Sequence, residues 1–118
     1  MTDQHIESHS SVKQWAASAG HHDDPAEVRE QRLRILAAFC ARVEKQPDEL
    51  VAFCILRKKA TGEQFLSVKR RETINNWLEE FTAEQGWAGK QAVVNANVVR
   101  SFLIHNGVLI QGPVWRGS

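Results

Sequence analysis

The chain has 118 residues, 15 of them basic and 14 acidic, for a formal net charge of +1. That length suits one domain with a modest core, and a hydrophobic share of 42% beside 25% charged residues excludes wholesale disorder. A nearly neutral chain has no global field to draw it to nucleic acid or an anionic membrane, so polyanion binding must come from local clustering.

Residues 1–24, MTDQHIESHSSVKQWAASAGHHDD, are rich in Ser, His, Asp and Ala, and after Ile6 their only large apolar residues are Val12 and Trp15. They read as a mobile N-terminal arm with at most one helical turn around 12–17. A helical domain follows over 25–110, then a tail over 111–118. Asp24-Pro25 is a helix start, with an Asx side chain to cap, Pro pre-set for the first position and Glu27 at the positive end. Val28, Ile35, Leu36, Phe39, Cys40 and Val43 then recur at helical spacing, predicting a first helix over about 26–45. Pro47 closes it and opens a second helix, apolar nearly all round from Leu50 to Leu56 and basic at Arg57, Lys58 and Lys59. Thr61-Gly62 marks a loop.

A third helix begins near Ser67 and carries Val68, Ile74, Trp77, Leu78 and Phe81 on one stripe, until Gly86 ends it. The fourth runs from Gly89 or Lys90 to His105 along Val94, Val98, Phe102 and Leu103, with Asn106-Gly107 as a left-handed cap. Its β-branched density at 93, 94, 98 and 99 also suits a strand. Four helices with short connections imply an all-α bundle.

The order of a helix ending AFCARVEKQPDEL, a basic linker, the helix RETINNWLEEF, a Gly-containing turn and a helix ending VVRSFLIHNGV resembles the N-terminal core-binding domain of tyrosine recombinases and phage-type integrases. The resemblance covers about 80 residues, roughly 27 to 110. It implies a four- to five-helix SAM-like bundle that grips one face of duplex DNA, while a separate catalytic domain cuts it. Arg100-Ser101-Phe102 followed by Asn106-Gly107-Val108 is its most specific element. The chain departs from the family at Ala92, Val93 and Val94, where polar or basic residues usually face DNA. It also contains no tyrosine and leaves no room after position 118 for a catalytic domain, so no strand cleavage and no enzyme activity are expected of it.

Arg57, Lys58, Lys59, Lys69, Arg70 and Arg71 are opposed between positions 57 and 71 only by Glu63. They are the leading candidates for a phosphate backbone, against the plainer reading of a solvated loop and helix start. Lys90, Gln91, Asn95 and Arg100 are secondary candidates for phosphate or base-edge contacts. His21-His22-Asp23-Asp24 has ligand-type residues but no partner at metal-site spacing, so neither metal nor cofactor is expected. Trp77 and Phe81 read as core, while Trp87 and Trp115 read equally as partner contacts or as cover for the bundle. Cys40 and Cys54 lack CxxC spacing and read as reduced core thiols. No apolar run approaches the roughly 20 residues that span a bilayer, and no signal sequence precedes the fold. The expectation is therefore a cytoplasmic, non-catalytic binder of double-stranded DNA without membrane contact. The alternative is a helical protein-interaction domain, possibly self-associating.

Overall fold

The computed structural model describes residues 6–112; Trp115 lies outside them. Five α-helices and a short antiparallel hairpin follow in the order α1 (Ser10–Ala19), a 3-10 turn (His21–Asp23), α2 (Ala26–Val43), α3 (Pro47–Phe53), β1 (Ile55–Arg57), β2 (Gln64–Leu66), α4 (Val68–Glu84) and α5 (Gly89–Ile104). This is a small helical bundle, as the apolar periodicities require.

The three long helices form where the 3.6-residue stripes place them. From α2 the bundle buries Ile35, Leu36, Phe39 and Cys40, from α4 Ile74, Leu78 and Phe81, and from α5 Ala96, Val99, Phe102 and Leu103. Phe39 and Phe81 meet edge to face at 5.4 Å, and Trp87 packs on Phe81 in the same manner at 5.6 Å. Trp87 thus covers the bundle. In α5 the buried stripe differs from the predicted one: Val94 is 50% exposed, and Val99 is the one buried valine of 93, 94, 98 and 99, its packing overriding its strand preference. Ser67 caps α4 by accepting the Arg70 N–H at 3.1 Å. Asp24 does not cap α2: its carboxylate instead pairs with Arg32 at 2.7 Å, and Pro25 stands at the N-cap.

Two larger expectations are corrected as well. Part of the predicted mobile arm is α1, with Val12 and Trp15 buried to 3% and 1% exposure. Trp15 meets Phe102 edge to face at 5.6 Å, and its indole N–H donates to Ser101 Oγ at 3.1 Å. Ser11 donates its N–H to Asp48 Oδ1 at 3.0 Å and its hydroxyl to the same oxygen, so a carboxylate at the start of α3 caps α1 from across the fold.

The predicted second helix is also shorter than its apolar run. It stops at Phe53, and the chain continues as β1, paired through Ile55 with Leu66, Leu56 with Phe65 and Arg57 with Gln64. Leu50 and Cys54, four positions apart and so on one helical face, still both reach the core. The Ser67 N–H closes the base of the hairpin on the Cys54 carbonyl at 2.9 Å. Gly62, at φ 75°, makes the tip and donates to the Lys58 carbonyl at 2.8 Å.

Candidate nucleic-acid interface

The hairpin gathers the first group of cations. Strand pairing ends at Arg57–Gln64, so Lys58 and Lys59 fall in the turn, and all three basic residues are exposed. Arg57 donates to the Gly62 carbonyl at 3.0 Å, which stiffens the tip. Lys58 lies 3.6 Å from Glu63, an exposed pair of the kind that contributes roughly 0–1 kcal/mol and exchanges readily. Lys59 has no ion-pair partner among the described residues.

The second group starts α4 and divides by role. Lys69 is exposed. The Arg70 guanidinium donates to the Phe53 carbonyl at 3.0 Å and lies over the Phe53 ring, 4.8 Å from its centroid. Arg71 donates to the Ser67 carbonyl at 3.3 Å and to the Leu109 carbonyl at 2.6 Å, strapping the segment after α5 onto α4. Asn75 continues that strap by donating to the Gln111 carbonyl at 2.7 Å. Arg71 is therefore committed to the fold.

The secondary candidates do not join this surface. Arg100 is buried to 4% exposure, donating to Asn75 Oδ1 at 2.9 Å and Asn97 Oδ1 at 2.8 Å. A Cβ on Gly112 would stand 2.0 Å from its guanidinium carbon, so Gly112 closes over it. Burial lowers the Arg100 pKa, with Glu79 opposing the shift. Its residue type suggested a phosphate contact; its place is an internal amide cage. Lys90, Gln91 and Asn95 belong to the first turns of α5. That helix runs antiparallel to α4, since Asn75 meets Arg100 while Leu78 and Thr82 line one hollow with Ala92 and Val93. With 17 residues in α4, this sets Lys90 about 25 Å from Lys69. Asn95 is half-buried.

The acidic side of α4 is engaged separately. Arg42 of α2 bonds Glu80 at 3.0 Å and Glu84 at 2.8 Å, and this guanidinium holds the Glu84 carboxyl below its usual range. One aromatic group lies between these acids and the hairpin. Trp77 stacks on Phe53 at 5.3 Å and 28°, and Lys45 Nζ sits 4.9 Å from the Phe53 centroid. Trp77, expected in the core, is half-buried here. Lys45 escaped the sequence reading because only the fold brings it to this ring.

Elsewhere, His21 is buried edge-on against Trp15 at 4.9 Å, and no three His, Cys, Asp or Glu side chains converge among the described residues. Burial pushes the Cys40 thiol up to about 12, well away from the thiolate that nucleophilic chemistry needs. Burial raises Cys54 as well, against the nearby charges of Arg71 and Arg70. Among the described residues no helix is long and apolar enough to cross a membrane. Comparison with known protein families, curated proteins and solved structures finds no match to this chain.

Proposed function

We propose that this chain is a non-catalytic module that grips the backbone of double-stranded DNA through the tip of its β-hairpin. The observation that carries the reading is three consecutive exposed cations, Arg57, Lys58 and Lys59, held at a closed turn, with Glu63 in a loose exposed pair to Lys58. Lys69, exposed in the first turn after the hairpin, extends the same charge. Cations on a stiff projection lose little entropy when they meet phosphates, and each neutralised phosphate releases counterions. The resemblance to the recombinase core-binding domain favours duplex DNA as the polyanion. The tyrosine-dependent strand cleavage of that family does not belong to the proposal, since the chain has no tyrosine.

The test is fluorescence anisotropy of a labelled random duplex at low and then moderate salt. The expected result is binding that collapses with salt. The triple variant R57A/K58A/K59A should lower the salt slope by about three. Unchanged binding by that variant would remove the hairpin from the interface, and no binding by the parent chain at low salt would overturn the DNA reading.

A second reading, a protein-interaction domain, rests on the exposure of Val68 at 62% and Leu109 at 64%. Arg71, one turn along α4 from Val68, holds the Leu109 carbonyl, so both apolar side chains belong to one end of the molecule. Concentration-dependent sedimentation would support it in the self-associating form.

A further inference from the structure

We infer that Lys45 and Arg70, gathered over the Phe53 ring at the base of the hairpin, form a phosphodiester-binding clip that continues the grip of the hairpin onto the body of the bundle. The inference rests on the backbone-gripping reading above and adds to it a residue, Lys45, from a different part of the chain.

Two like charges converge on one aromatic ring. Arg70 Cζ lies 4.8 Å and Lys45 Nζ 4.9 Å from the Phe53 centroid, while Trp77 stacks against the same ring and occupies one of its faces. Two cations and an indole thus share one ring, and the ring's quadrupole attracts each cation without neutralising it. Among the described residues no carboxylate pairs with either. Glu49 accepts the Gln46 N–H at 2.7 Å, Glu80 and Glu84 are held by Arg42, and Glu44, next to Lys45 in the chain, forms no ion pair with it. Apart from the ring, Lys45 Nζ has no side-chain partner in the described structure. A phosphate reached by both side chains would supply the missing counter-charge.

The position points to a phosphate that belongs to a nucleic-acid backbone. Phe53 immediately precedes Cys54, whose carbonyl closes the hairpin base on Ser67, and Arg70 stands in the first turn after that closure. From Cys54 to Lys58 is four residue steps along β1, about 13 Å at roughly 3.3 Å each. Clip and tip can therefore meet separate phosphates of one duplex strand. The Arg42–Glu80–Glu84 group sets the end of the track by repelling any backbone that runs further along α4.

The experiment compares the parent chain with K45A, K45R and R57A/K58A/K59A, using the labelled random duplex over a salt series. K45A should lower the salt slope by about one and weaken binding several-fold across unrelated sequences, whereas K45R should bind as the parent does. Urea unfolding of K45A, expected unchanged, separates lost contact from lost fold. If the parent binds and the hairpin variant weakens it while K45A does not, the clip is overturned and the hairpin reading stands. If the parent fails to bind duplex, both fall. In that case a shift of the Lys45 Nζ resonance on adding inorganic phosphate would identify a small-anion site and still overturn the nucleic-acid assignment.

Discussion

Helix α1 and the β-hairpin are both short, and both border α3, but they are held in opposite ways. The helix is tied at long range: Trp15 reaches Phe102 and Ser101, Ser11 reaches Asp48, and the Asn106 amide donates to the Ser11 carbonyl at 2.9 Å. The hairpin is closed by its own bonds, Arg57 to Gly62, the Glu63 N–H to Thr61 Oγ1 and the Lys58 N–H to the Glu63 carbonyl, and buries none of residues 57–65. One segment exists because the core needs it. The other costs the core nothing to present, which leaves its charges available for a ligand.

The largest test of this contrast is W15A. Removing a side chain buried to 1% exposure, together with its bond to Ser101, should cost about 3–5 kcal/mol, read as a fall in the urea midpoint. A loss below about 1 kcal/mol would mean that α1 is an appendage after all.

A smaller effect is expected at Asp48. Its carboxylate accepts both the Ser11 hydroxyl and N–H, and the Ser11 hydroxyl bond is the main cause of a pKa below the ordinary carboxylate value; burial opposes the shift, and His9, 3.7 Å away, adds to it. Because the folded-state pKa is depressed, the stability it brings is fully present above the unfolded carboxylate value and is lost as pH falls through the folded one. D48A should therefore cost about 1 kcal/mol at neutral pH, as loss of a helix cap does. The gap between parent and variant should narrow on acidification below pH ~4. A gap that stays constant to low pH would assign the loss to packing instead of the charged cap.

The same contrast explains what could be read in the sequence. Helices α2, α4 and α5 announce themselves because each carries an apolar stripe of its own, as Ile74, Leu78 and Phe81 do in α4. Helix α1 has only Val12 and Trp15 to show, too few to fold a ten-residue helix alone, and what holds it lies 37 to 95 positions away. The hairpin was hidden by an apolar run, Leu50 to Leu56, whose all-round character suits a buried helix and a strand alike. Within the candidate site, the hairpin cations were legible as a charge cluster. The burial of Arg100 was not, because a guanidinium is ordinarily exposed and its cage is assembled from Asn75, Asn97 and Gly112. The clip at Phe53 draws on Lys45, Arg70 and Trp77, residues that no spacing along the chain would group.

The smallest expected effect is the one on which the functional reading depends. R57A/K58A/K59A removes three charges whose structural roles are a single tip bond and an exposed ion pair, so its unfolding free energy should stay within about 0.5 kcal/mol of the parent. A near-zero stability change beside a large loss of duplex binding would separate presentation from folding. W15A supplies the converse: the folded fraction that survives should bind duplex with the parent salt slope, because the hairpin base is closed by Cys54 and Ser67 and does not draw on α1. If instead the hairpin variant unfolds as readily as W15A, its cations are part of the scaffold and the difference between the two segments disappears.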